Sequence, residues 1–245
     1  MSKVTLILHG WPQSDLSEHP LYLHLIKSGY EVLVIDLFNS EIVLTPENVV
    51  GKVGFLLKNR NLDAIFGISI GGLLLPHVAR RYPQAKLVFI ASGSYFRPNV
   101  VLFRSAIDLL QRKKLFTIAS FVLHLPNWLI EFIYQKLNPY QGDEQERIEY
   151  LKDMIKNIRL IKGIPNQKEW DIVRFVSRVD NTEILKTLKN ESLIINGKHD
   201  LLMPQEAGEL LHKYLVNSKL IITEGEHFNV FGEKNLKQVD EFLKN

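Results

Sequence analysis

The sequence predicts an α/β fold: a mostly parallel, six-stranded sheet with helices on both faces and one inserted helical block. Three observations carry this. Apolar runs of strand length recur at 4–8, 31–36, 63–68, 86–91, 192–196 and 219–223, rich in Val, Ile and Leu. Most are apolar at successive rather than alternate positions, as strands buried on both faces are. Segments with helical signals lie between most of them, and strand–helix alternation implies crossovers between parallel strands. The alternation fails from roughly 94 to 190, where helical patterns follow one another without a convincing strand.

Each element has a local reason. The first strand, 4–8, runs into His9–Gly10–Trp11–Pro12, which stops it. A helix over 20–28 ends before Gly29, a residue suited to the left-handed position after a helix. After the second strand, Thr45, Pro46 and Glu47 supply an N-cap, a first-turn proline and a first-turn acid for the next helix. The strand at 63–68 leads into a helix over 72–82, and the strand at 86–91 follows. In the irregular block, apolar residues at helical spacing predict helices over 102–115, 117–134, 143–161 and 167–179. Pro126, Pro139–Tyr140–Gln141–Gly142 and Gly163–Ile164–Pro165 punctuate them. The strand at 192–196, a helix over 204–216, the strand at 219–223 and a helix over 233–243 close the chain. The expected division is a core of 1–94 and 191–245, with a helical insertion of 95–190.

Composition narrows the function. The chain has 245 residues, 46% hydrophobic and 23% charged, enough for one large domain that folds without covalent staples. With no cysteine, disulfides, thiolate metal sites and thiol nucleophiles are excluded. That composition fits a reducing, cytoplasmic setting. A net charge of +3 is too small for a nucleic-acid partner. The segment 118–134 is the most apolar, but His124, Pro126, Asn127 and Glu131 interrupt it, so no transmembrane segment is expected. The N-terminus carries no secretory cleavage pattern.

The chemistry lies where strands end. Gly67–Ile68–Ser69–Ile70–Gly71 sits between the third strand and its helix. A serine on such a sharp turn holds a strained backbone and projects its hydroxyl above the sheet. Side chains at Gly67 or Gly71 would strike the neighbouring strand and helix. Of the eight histidines, His227 alone lies in a loop just past the last strand, on the edge where Ser69 emerges. Asp200 lies in the loop after the fifth strand, again at the carboxyl end of the sheet, where open α/β sheets bind ligands. Gly10 lets the chain turn after the first strand, so that the backbone N–H groups of Trp11 and Ile70 can face one anion.

These four signals come in the order anion loop, Ser, Asp, His. With His9–Gly10–Trp11, Gly67–Ile68–Ser69–Ile70–Gly71–Gly72, Gly197–Lys198–His199–Asp200 and Gly225–Glu226–His227, the chain resembles the α/β-hydrolase superfamily. The resemblance covers about the first hundred residues and the last sixty. It implies a nucleophile elbow at Ser69 and a helical cap inserted after the strand ending near Ala91.

The expected function is hydrolysis of a small-molecule carboxylic ester by Ser69, His227 and Asp200, with no cofactor and no metal. In the insertion, Phe121, Leu125, Trp128 and Phe132 are the expected walls of an apolar acyl pocket, which would favour longer acyl esters. Contact with a second copy, making a homodimer, is another use for that patch. Two alternatives stand beside the esterase. The same triad serves carbon–carbon hydrolysis, lyase or acyl-transfer chemistry, for which Arg97, Arg104 or Arg174 could clamp a carboxylate. The chain could also be a non-catalytic binding protein.

Overall fold

The computed structural model describes residues 3–244 apart from 14, 40–42, 59, 100, 120–124, 138–147, 149–151, 153–154 and 157–158. Six strands form one sheet: β1 (Val4–Leu8), β2 (Glu31–Ile35), β3 (Ala64–Ile68), β4 (Lys86–Ile90), β5 (Ser192–Gly197) and β6 (Ser218–Thr223). Their order is β2-β1-β3-β4-β5-β6, and every pairing among the described strands is parallel.

Alternate residues of each strand face two separate cores, which is why the runs are apolar throughout. On one face Leu6, Leu8, Ile65, Leu87, Phe89 and Ile194 are buried. They pack with α2 (Pro46–Leu57), α3 (Ile70–Ala79) and later helices. On the other face Ile7, Phe66, Val88, Ile90, Leu193 and Ile195 meet Leu21 and Leu25 of α1 (Pro20–Lys27) and residues near the C-terminus. Burying each such side chain stabilises the fold by about 1.5–3 kcal/mol. The caps form as expected at α2, where the Thr45 Oγ1 accepts the Asn48 N–H at 3.3 Å and Pro46 opens the helix.

Three expected helices differ in their bounds. The helix after β3 starts at Ile70, not 72, because the turn at Ser69 is so tight that the helix begins on the next residue. The helix expected over 102–115 is two, α4 (Val101–Leu110) and α5 (Lys113–Ala119). The helix expected over 117–134 is likewise interrupted; α6 (Asn127–Leu137) begins after Pro126. Most of the helix expected over 143–161 lies outside the described residues. Next come α7 (Asn166–Val176) and a short α8 (Thr182–Thr187), which the apolar pattern did not reveal.

The insertion leaves and rejoins the core at one place. Tyr95 and Asp180 form an isolated antiparallel bridge, and the Asn181 N–H donates to the Ser94 carbonyl at 2.8 Å. Asn181 Nδ2 also donates to the Leu73 carbonyl of α3 at 2.7 Å. After this junction Leu185 and Leu188 are buried in the same cluster as Leu73 and Leu74, so α8 packs with the sheet's helices. The insertion also has buried residues of its own, with the Phe116 and Trp170 rings 5.4 Å apart. The chain closes with α9 (Gln205–Tyr214) and α10 (Glu233–Lys244).

One buried acid in the insertion makes stability depend on pH. Glu169 of α7 is 6% exposed, and its Oε1 has no hydrogen-bond partner among the described residues. Burial alone pushes its carboxyl up to about 7. The folded chain therefore keeps this proton to higher pH than the unfolded chain does. The resulting stabilisation is complete in acid, below the ordinary carboxylate range, and is lost as pH rises through about 7. Discounted for solvent screening, the effect is about 1 kcal/mol. Glu169→Gln should raise the Tm by about 2–4 °C at pH 8 and scarcely at pH 5, read by scanning calorimetry. An equal gain at both pH values would contradict this account.

Candidate active site

Ser69 stands between β3 and α3 with φ 50° and ψ −114°, a region that costs a non-glycine residue about 1–3 kcal/mol. The neighbouring backbone holds it there. The Ser69 N–H donates to the Ile90 carbonyl of β4 at 2.8 Å. The Ser69 carbonyl accepts the Ser92 hydroxyl at 3.0 Å and the Gly72 N–H at 2.9 Å. The flanking glycines are required by space. A Cβ on Gly67 would sit 2.6 Å from Gly72 Cα, and one on Gly71 would overlap the Leu8 carbonyl of β1.

Loops from β5 and β6 bring the other two residues to this point. The His199 N–H donates to the Gly225 carbonyl at 3.2 Å and the Lys198 N–H to the Thr223 carbonyl at 2.9 Å, tying the loops together. His227 Nδ1 lies 2.7 Å from Asp200 Oδ2, and His227 Nε2 lies 2.9 Å from Ser69 Oγ. A carboxylate only accepts, so Nδ1 carries the proton and Nε2 is left to accept the serine O–H. Asp200 is 2% exposed. Its second oxygen, Oδ1, accepts the N–H groups of Leu202 at 2.8 Å and Met203 at 2.7 Å. Three hydrogen bonds thus satisfy a buried carboxylate and fix its plane.

The loop after β1 completes the arrangement. A Cβ on Gly10 would come within 3.4 Å of Ser69 Cβ, so this turn lies directly against the serine. Its shape depends on His9, a fully buried residue. The Leu37 N–H donates to His9 Nε2 at 2.8 Å, which leaves the proton on Nδ1, and Nδ1 donates to the Gly10 carbonyl at 2.8 Å. Ile70 is the first residue of α3, so its N–H has no acceptor within the helix. The serine, the imidazole and the carboxylate therefore converge at one edge of the sheet, with the Gly10 turn and the start of α3 beside them.

No protein-family model matches the chain. A curated relative, the "Biotin biosynthesis bifunctional protein BioHC" of Teredinibacter turnerae, is 24% identical over 224 residues. The match covers 85% of this chain and 38% of that protein, so the chain spans about two fifths of the relative's length. Among solved structures, the esterase EaEST from Exiguobacterium antarcticum is similar with a TM-score of 0.70 at 16% identity, over 100% of this chain and 92% of that one. The enol-lactonase from Burkholderia xenovorans LB400 is similar with a TM-score of 0.71 at 18% identity, over 100% and 93%. The chain has the α/β-hydrolase fold.

In this α/β-hydrolase fold a cavity of about 160 Å³ opens over Ser69 and His227. Trp11, Leu16, Ile68 and Phe228 give it apolar walls; Gln13, His19 and Lys156 give it polar ones. Of the pocket residues expected from sequence, Leu125, Trp128 and Phe132 do not line it. Trp128 is 67% exposed and Phe132 56% exposed on α6, while Leu125 is half-buried beside Lys162, whose ammonium donates to the Leu125 carbonyl at 3.1 Å. Phe121 lies outside the described residues. Helical spacing put Trp128 and Phe132 on one stripe; the docking of α6 turns that stripe to solvent. Nor do Arg97, Arg104 and Arg174 line the cavity; Arg104 is engaged by the Pro98 carbonyl.

Sequence reasoning missed His19, Gln13 and Lys156, and placed His9 in the loop without its bracing role. His9 had a signal, since a histidine directly after a strand and before a glycine is placed to brace the turn. Lys156 had none, because its helix meets the sheet edge only through tertiary docking. Among the described residues no group of three or more His, Asp or Glu side chains is placed to hold a metal ion. No described helix is long and apolar enough to cross a membrane.

Proposed function

We propose that the chain is a serine hydrolase of small carboxylic esters, with Ser69 as nucleophile, His227 as general base and acid, and Asp200 as the group that orients the imidazole. The observation that carries this reading is the continuous relay of 2.9 Å and 2.7 Å from Ser69 Oγ through His227 to Asp200. Two similar structures named for breaking open-chain or cyclic esters lend it support.

The steps follow from the hydrogen bonds. Ser69 Oγ attacks the ester carbonyl as its proton passes to His227 Nε2. Asp200 stabilises the imidazolium through Nδ1–H. The carbonyl oxygen, now an oxyanion, receives the N–H groups of Trp11 and Ile70. Collapse expels the alcohol, which takes the proton from Nε2, and leaves an acyl-serine. Water repeats the sequence in the deprotonated site and releases the acid. The insertion acts as a cap, reaching the cavity through Lys156.

The cavity also sets a size. About 160 Å³ is close to the volume that accommodates a benzene molecule. Esters of acids with two to five carbons should therefore react with higher kcat/KM than esters of eight carbons or more. This reverses the expectation from the apolar α6 stripe, whose residues stand elsewhere. A p-nitrophenyl ester series checks it; a steady rise towards long chains would contradict it. Covalent labelling by a fluorophosphonate, lost in Ser69→Ala, tests the nucleophile itself. Labelling that persists in that variant would overturn the assignment.

A further inference from the structure

The cavity has a charge asymmetry that ester hydrolysis does not require. Among the described residues that line it, Lys156 is the one fixed positive charge, and no carboxylate lines it. Asp200 is shut behind His227, with no exposed side-chain surface. His19 adds no charge, because burial holds its imidazole below the usual range. Its Nδ1 accepts the Leu21 N–H at 3.2 Å, so the neutral ring is kept by a hydrogen bond as well.

Lys156 is also unpaired with any acid among the described residues, and it is exposed. It acts electrostatically on Asp15. That carboxyl is lowered first by the Ser17 N–H, 2.9 Å from Oδ1, and only weakly by Lys156. Asp15 belongs to the same loop as Gln13 and Leu16 and is itself exposed. The lysine therefore stands where the small cavity meets solvent, in the same lining as Ser69.

We propose that Lys156 selects esters bearing an anionic group, a carboxylate or its equivalent, a few bonds from the scissile carbonyl. The proposal rests on the serine-hydrolase reading and names its substrate class. A cavity of this size holds the short chain that would separate the carbonyl at Ser69 from an anion at the rim. The contact is remote from the reacting carbon. It is made equally in the bound substrate and the transition state, so it acts on KM rather than kcat. An ammonium at the rim remains partly hydrated, and its attraction for an anion weakens as salt screens it.

Two substrate pairs test this. On the acyl side, p-nitrophenyl hydrogen glutarate is compared with p-nitrophenyl valerate. On the alcohol side, the carboxymethyl ester of butyric acid is compared with its propyl ester. In at least one pair the anionic member should have the higher kcat/KM, by about tenfold, through KM, and 0.5 M salt should reduce the preference. Lys156→Gln should lower the anionic-to-neutral ratio of kcat/KM about tenfold, and Lys156→Glu should invert the preference. The pair that responds shows which side of the ester carries the anion. If Lys156 only ties the insertion to the Asp15 loop, the variants would shift both members alike and leave the ratio unmoved, which would overturn the proposal. Calorimetric binding of p-nitrophenyl hydrogen glutarate to Ser69→Ala, with and without Lys156→Gln, reads the same contact without turnover. Tenfold weaker binding on losing the lysine supports the proposal even if no ester is hydrolysed, and equal binding refutes it even if esters are. Failure of the lysine contact and failure of the esterase reading are thus separated.

Discussion

Ser69→Ala should lower kcat for a good ester substrate by about 10⁴–10⁶-fold while leaving the fold intact. The loss follows from removing the oxygen that lies 2.9 Å from His227 Nε2. Residual turnover would come from the cavity and the backbone donors, with water attacking directly. The fold should survive because Ser69 is held by main-chain bonds to Ile90 and Gly72 and by the Ser92 hydroxyl on its carbonyl. None of these uses the Ser69 side chain. A second variant sharpens the point. Ser69→Gly should be as inactive as the alanine variant, yet melt at a higher temperature, because glycine adopts a φ of 50° without the strain a Cβ brings. Single-turnover kinetics and calorimetry check the pair. An alanine variant retaining more than a tenth of wild-type kcat would remove Ser69 from the mechanism.

Asp200→Asn should cost about 10⁴ in kcat near neutral pH, and the reason is a forced tautomer. Oδ1 accepts two main-chain N–H groups, from Leu202 and Met203. An asparagine can satisfy them only by placing its carbonyl oxygen there. Its NH₂ then faces His227 Nδ1 at the site of the 2.7 Å contact. Two donors cannot face each other, so Nδ1 gives up its proton and Nε2 must carry it. A protonated Nε2 cannot take the serine proton, although every heavy atom remains in place. The Tm should change by only a few degrees, since both main-chain bonds persist. Asp200→Ala should lose similar activity but more stability, because the Leu202 and Met203 N–H groups lose their acceptor. A loss under tenfold in the asparagine variant would mean that another group sets the tautomer.

The sheet and the relay were legible in the sequence for one physical reason. Strands covered on both faces are apolar at successive positions, and even the half-buried β2 and β6 keep runs of three or four such residues, so all six announced themselves. Open α/β sheets bind ligands just past their strand ends, which singled out Ser69, Asp200 and His227, the three members of the relay, from other residues of their kinds. The insertion was less legible. Helical periodicity identifies the stripe of Trp128 and Phe132 but not what that stripe faces. The pattern over 102–115 ran through the break after Leu110, because residues on either side keep compatible spacing. Lys156 carried no local mark at all, since its place at the cavity depends on how one helix docks against a loop more than 140 positions away in the chain. Glu169 was hidden similarly; a glutamate within an amphipathic pattern gives no sign that its helix will be covered.

The bridge between Tyr95 and Asp180 has a wider consequence. A segment that departs and returns through adjacent residues imposes no end-to-end distance on its host. Its length can change by whole helices while the ends stay paired, and the added closure cost grows only with the logarithm of length. The sheet and the residues at its edge can then stay unaltered while the excursion is lengthened, shortened or exchanged. Grafting a foreign segment between these two anchor points is accordingly a rational way to change what stands over the sheet edge without touching Ser69, His227 and Asp200.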